Sequence, residues 1–119
     1  MQNFERELAI EICKTIDSKK GNDIVLMEVG KIVAFADYFI IATGTSTKHT
    51  AALADAVEKK LSEKGVYVSH KEGHNEGSWI LLDYLDVVVH IFTEEQRSFY
   101  DLERIWKGAK YVELDIDMA

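Results

Sequence analysis

Phe4, Leu8, Ile12 and Ile16 recur every four residues, with Ala9 and Cys13 beside them. This apolar stripe predicts a helix over roughly residues 3–18. KKGND interrupts it, and Gly21 suits a helix stop. IVLMEV at 24–29 is apolar and β-branched, which predicts a strand. The GKIVAFAD connection leads to a second strand, YFIIAT at 38–43. Gly44 ends that strand, and Thr45, Ser46 and Thr47 can each cap a helix N-terminus. The helix that follows buries Ala51, Leu53, Ala54, Val57 and Leu61 and runs to about Lys64, with Gly65 as its C′ residue. VYVSH at 66–70 predicts a short strand, and KEGHNEG a polar loop. WILLDY and VVVHIF are two further strands, and a helical segment runs from Glu94 to about Lys107. The tail YVELDIDMA, 111–119, reads as an edge strand or an arm. The order α-β-β-α-β-β-β-α predicts an α/β or α+β fold, a mixed sheet of about five strands with helices packed on it. Near-continuous apolar strands imply a sheet covered over much of both faces.

The WILLDY–VVVHIF pair admits two registers. With Leu85-Asp86 as a two-residue turn, Tyr84 pairs with Val87 and Leu81 with His90. One face then carries Ile80, Leu82, Tyr84, Val87, Val89 and Ile91. The other carries Trp79, Leu81, Asp83, Val88, His90 and Phe92. A shift of one residue scatters the polar groups over both faces, so the segregating register is preferred. The second face has two readings. It is a second core face, with Asp83 capping a turn and His90 hydrogen-bonded. Or it is a binding surface, with Trp79 and Phe92 as anchors and Asp83 paired to a cation of the partner.

Composition narrows the function. The chain has 119 residues, one domain's length, and is 47% hydrophobic and 29% charged, which argues against disorder. Its net charge of −7 disfavours strong direct nucleic-acid binding, which rests on clustered Lys and Arg. A basic protein partner suits it better. Cys13 is the single cysteine, which excludes an internal disulfide and reads as a small core residue in a reducing compartment. No segment reaches the roughly 18 apolar residues of a membrane span. MQNFERELA has no signal-peptide or transit character, so the expected location is cytoplasmic.

Little in the chain carries chemistry. The Gly44–Thr47 turn, after a strand and before a helix, could cradle a phosphate. It lacks the Gly-Lys-Ser/Thr ending of a P-loop. A metal-dependent nucleotidyl- or phosphotransferase would need paired carboxylates on a nearby strand. The next one, Asp55, lies inside a helix, Asp115 and Asp117 lie in the tail, and Asp83 and Asp86 flank a turn. His70 and His74 straddle a strand-to-loop junction with no cysteine, which makes a poor metal site. No serine is set for a catalytic triad. Cofactors and catalytic residues are expected to be none, with the transferase as the alternative.

Three segments resemble the ribosomal silencing factor family, also called Iojap or RsfS. They are ADYFIIATGTSTKH at 36–49, EGSWILLDYLDVVVHIF at 76–92 and RSFYDLERIW at 97–106. They come in the family's order and spacing, and the resemblance makes 1–119 a single silencing-factor domain. It implies a nucleotidyltransferase-like fold without the catalytic carboxylates and a non-enzymatic role. It also implies binding to the large ribosomal subunit through ribosomal protein L-fourteen. The bound factor would obstruct small-subunit joining and dampen translation when nutrients are short. A homodimer of the free protein is a further expectation. Carried over by position, the contact residues are Trp79, Leu81, Asp83, Tyr84, His90 and Phe92, with Lys71, Glu76 and Tyr100 beside them. Leu85 stands where the family usually has Gly, so the turn, and with it the aim of Asp83 and Tyr84, is expected to differ. Lys48 replaces a more common Arg, keeping the charge without the planar fork.

Overall fold

Every element packs on one six-stranded sheet, in the order β3-β4-β5-β2-β1-β6. The computed structural model describes residues 4–101 and 110–112, the side chains of residues 99 and 100 excepted. The elements in chain order are α1 (Phe4–Ser18), β1 (Asn22–Glu28), β2 (Tyr38–Gly44), α2 (Thr47–Ser62), β3 (His70–Glu72), β4 (Trp79–Asp83), β5 (Val87–Thr93), α3 (Glu94–Tyr100) and β6 (Lys110–Tyr111). β2 and β5 pair in parallel and every other pair is antiparallel. The fold is α+β, a mixed sheet with three helices packed on it.

The stripe on α1 is buried from its second turn on, with Leu8, Ala9, Ile12, Cys13 and Ile16 facing inward, while Phe4 at its start is exposed because it lies at the helix end beyond the sheet core. The helix ends at Ser18, and Lys20, one residue before the expected glycine, takes the left-handed turn at φ +68°. Gly21 serves a different end: a Cβ there would lie 2.2 Å from Ile16 Cγ2, so only glycine lets the chain turn so tightly over α1. α2 begins at Ser46, whose hydroxyl accepts from the His49 N–H at 3.1 Å. It ends where Gly65 takes φ +80° and the Val66 N–H bonds the Leu61 carbonyl at 2.9 Å.

α1 and α2 lie on one face of the sheet. Between them Leu8, Ile12, Ile16, Leu53, Val57 and Leu61 meet Leu26, Ile40, Ile80, Leu82, Val89 and Ile91 in a single aliphatic core. Cys13 is fully buried there, and burial pushes its thiol up to about 12, which keeps it protonated and inert. At the far end of the sheet Arg97 of α3 reaches the Asp23 carbonyl and donates to the Thr43 hydroxyl at 2.8 Å. α3 is thereby fastened to the ends of β1 and β2.

Three element boundaries depart from the sequence expectation. The strand expected at 66–70 forms at 70–72 instead. β4 is only five residues long and its pairing begins at His70 opposite Asp83, with the Ser69 N–H bonded to the Asp83 carbonyl at 2.8 Å, so Val66–Val68 lie beyond its end. Val66 and Val68 pack on the core from an irregular segment while Tyr67 stays exposed, which mimics strand alternation. The segment from Glu94 ends as a helix at Tyr100, because Asp101 turns left-handed at φ +49°. Residues 102–107 of the expected helix lie outside the described residues. A sixth strand, β6, borders β1, with Tyr111 opposite Met27 and the Val112 N–H bonded to the Leu26 carbonyl at 2.9 Å. Residues 113–119 lie outside the described residues. Among the described residues no helix is long and apolar enough to cross a membrane.

A candidate docking face on the sheet

The β4–β5 hairpin has the segregating register: Trp79 opposite Phe92, Leu81 opposite His90 and Asp83 opposite Val88. Residues paired across a sheet share a face, so the face opposite α1 and α2 can be followed from strand to strand. It runs from His70 and Glu72 on β3, through Trp79, Leu81 and Asp83 on β4, to Val88, His90 and Phe92 on β5. It continues to Phe39 and Ile41 on β2 and Val25 and Met27 on β1. The connection 30–37 folds over part of it, and its Val33 and Ala36 join Phe39, Ile41, Val88 and Phe92 in a second, smaller core.

The aromatic groups form one layered cluster. The Trp79 ring centre lies 4.9 Å from that of Phe92 and 6.0 Å from that of His90. Phe39 meets His90 edge-on at 5.2 Å. Phe92 and His90 are buried beneath, at 1% and 6% exposure, while Trp79, Leu81 and Asp83 are half-buried above them. The Trp79 indole N–H donates to His90 Nδ1 at 3.2 Å. That bond requires a lone pair on Nδ1, so the neutral ring carries its proton on Nε2. Nε2 is buried with no hydrogen-bond partner. Burial pushes the His90 pKa down to about 4, and the ring is neutral at physiological pH.

Asp83 is turned to its own backbone: Oδ1 accepts from the Leu85 N–H at 2.7 Å. The Asp86 N–H bonds the Tyr84 carbonyl at 3.0 Å, and Leu85 between them has φ +75°. This is a γ-turn with a leucine in the left-handed region, where glycine is at ease and leucine is strained. Leucine therefore does not change the hairpin's two-residue length: the Tyr84 N–H still bonds the Val87 carbonyl at 2.9 Å. The strain is taken up locally.

The other residues carried over from the resemblance separate in space. Tyr84 lies on the helix face, 7% exposed, with its hydroxyl unpartnered, and burial together with the nearby Glu58 carboxylate pushes it up to about 12. Lys71 also points to the helix side, where its Nζ bonds Glu58 of α2 at 3.0 Å. Glu76 is exposed in the loop before β4. Tyr100 closes α3, and its side chain lies outside the described residues. Sequence reasoning missed His70 and Glu72, which β3 places on the docking face beside Asp83 and Leu81. The signal is their i, i+2 spacing, which the expected boundary between a strand ending at His70 and a loop starting at Lys71 divides.

The Gly44–Thr47 turn is built as a cap. The Thr45 N–H donates to His49 Nδ1 at 2.9 Å, the His49 N–H to Ser46 Oγ, and the Thr50 N–H to the Ser46 carbonyl at 2.9 Å. His49 Nε2 lies 2.9 Å from the Lys19 carbonyl and so ties the turn to the end of α1. Gly77, at φ +77°, presses on the Thr47 carbonyl, which a Cβ would approach to 2.7 Å. The Thr45, His49 and Thr50 N–H groups are thus already bonded within the fold. His74 bonds Asp55 of α2 at 2.8 Å and His70 bonds Glu72. Among the described residues no three His, Cys, Asp or Glu side chains gather where a metal could be held.

One sheet face closed by α1 and α2, and another presenting half-buried aromatic and acidic groups over a buried aromatic layer, define an α+β protein with two unlike sheet faces. The family model for "Ribosomal silencing factor during starvation" matches residues 2–119, and the chain belongs to that family. It is similar to the ribosomal silencing factor RsfS of Bacillus subtilis, at 39% identity over 86% of this chain and 86% of that protein. It is also similar to the chloroplastic protein Iojap of Zea mays, at 36% identity over 92% of this chain and 47% of the maize protein. A crystal structure of a Chromobacterium violaceum protein matches with a TM-score of 0.80 at 37% identity, covering 100% of this chain and 97% of that one. The family is non-enzymatic, so the transferase reading of the Gly44–Thr47 turn is set aside.

Proposed function

We propose that this chain acts in the cytoplasm as a single-domain translational repressor, spanning residues 1–119, that docks on the large ribosomal subunit through ribosomal protein L-fourteen. Its folded body then stands where the small subunit would join, and translation slows when nutrients are limited. No bond is made or broken. On this reading the scaffold is nucleotidyltransferase-like without the catalytic carboxylates. The carrying observation is Trp79, half-buried on the sheet face opposite α1 and α2 and bonded to His90. An aromatic anchor already ordered before contact loses little conformational freedom on binding. Asp83 beside it and the net charge of −7 suit a basic ribosomal protein.

The test is co-sedimentation of the purified chain with isolated large and small subunits, followed by mixing both. The expected result is pelleting with the large subunit alone and fewer joined ribosomes. Pelleting with neither subunit, or undiminished joining, would overturn the proposal. Sedimentation velocity of the free protein tests whether the same face also mediates a homodimer.

A further inference from the structure

Leu85 combines two unfavourable features. It sits at φ +75°, a backbone state in which a leucine is strained, and it leaves its side chain 63% exposed. Glycine would relieve the first and asparagine would tolerate it. Nothing in the folded chain is gained by an exposed leucine there, since the turn is held by backbone groups and by Asp83 Oδ1.

The turn's surroundings point to what the side chain meets. The Asp86 carbonyl accepts from the N–H groups of Asp37 and Tyr38, so the hairpin tip abuts the end of the 30–37 connection. Phe35, two residues before Asp37, is also 63% exposed. Its ring lies 5.9 Å from Phe39, which in turn meets His90. Phe35 is thus joined to the sheet face through the Phe35–Phe39–His90 contacts, and the Asp86 backbone contact sets the hairpin tip against the same connection. Around the tip stand Asp37 and Asp86, both exposed, and the half-buried Asp83. An apolar knob rimmed by carboxylates complements an apolar recess rimmed by Lys or Arg.

We propose that Leu85 is a specificity-determining anchor, a strained knob that, with Phe35, enters an apolar recess rimmed by basic residues on the protein to which the aromatic face docks. The inference rests on the proposed function and extends its surface from the sheet face to the end of the hairpin. The strain is retained because the side chain is used outside the molecule.

The test pairs stability with binding. Leu85→Gly, Leu85→Asn and Leu85→Met are compared with wild type by thermal denaturation and by titration against isolated large ribosomal subunits. Leu85→Gly is expected to melt no lower than wild type and to bind at least about fivefold more weakly, the loss of a buried anchor. Leu85→Asn, which keeps a stiff turn, should lose affinity alike, and Leu85→Met should bind as wild type. Glycine and asparagine variants of wild-type affinity would overturn the anchor. So would a Leu85→Gly that melts lower, because Leu85 would then be held by contacts within the chain. Wild type that binds no large subunit would overturn the proposed function itself, and that failure is seen before any variant is compared.

Discussion

The two faces of the sheet are built from the same strands and end in opposite uses. The helix face is aliphatic, and α1 and α2 close it completely over Ile40, Leu82 and Val89. The other face is aromatic, and the described residues close it only in part, leaving Trp79, Leu81 and Asp83 half-buried. Among the described residues each face also buries one unpartnered side-chain polar atom: the Tyr84 hydroxyl on the helix side and His90 Nε2 beneath the aromatic layer. On the helix face the orphan does nothing visible. On the aromatic face the same ring holds Trp79 through its other nitrogen. A burial penalty is tolerated in both places, but only one of them yields an oriented side chain at the surface.

The comparison breaks first if the helix face is not the stability centre. Leu82→Ala removes a fully buried side chain there and should cost about 2–5 kcal/mol in chemical denaturation. A loss below about 1 kcal/mol would mean that the core lies elsewhere.

His90 gives the next largest effect, through pH. Its folded pKa, about 4, lies below the ordinary 6.5, so between these values the unfolded chain binds the extra proton. The neutral ring's contribution is intact above pH 6.5 and is lost as pH falls toward 4. The difference amounts to about 3 kcal/mol. Denaturation midpoints measured from pH 7 to pH 4 should fall more steeply in wild type than in His90→Gln, which does not titrate. Equal slopes would mean that His90 is not buried neutral.

The smallest effect sharpens the contrast. Tyr84→Phe removes an unpartnered buried hydroxyl and should be neutral or stabilise by up to about 1 kcal/mol. It should leave large-subunit binding unchanged, because Tyr84 lies under α1 and α2. Weakened binding would place Tyr84 in the contact surface after all and blur the division between the faces.

Much of this division could be read from the sequence. The hairpin register followed from period-2 alternation, because only one pairing kept Trp79, Asp83 and His90 on the same side. The caps at Ser46 and Gly65 followed from local chemistry. What could not be read was set by distant pairing. β3 starts at His70 because β4 happens to end at Asp83, a fact about two segments at once. The parallel β2–β5 pair is another such fact, written in neither strand alone. Lys71 and Tyr84 were grouped with Trp79 by the resemblance, although the preferred register already set Tyr84 on the Ile80–Leu82 face. Side-chain alternation sends them to the other face. Leu85 was visible as an unusual turn residue, but its exposure and the contact of its neighbour Asp86 with the Asp37 backbone needed three dimensions.

The most direct test of the central claim measures large-subunit affinity for two variants side by side. Trp79→Ala alters the aromatic face, and Lys59→Glu alters the exposed side of α2. Trp79→Ala should bind about 30-fold more weakly, the effect of losing roughly 2 kcal/mol at an anchor. Lys59→Glu should bind as wild type. The reverse pattern, with Trp79→Ala at full affinity and Lys59→Glu impaired, would put the docking surface on the helices and contradict the account.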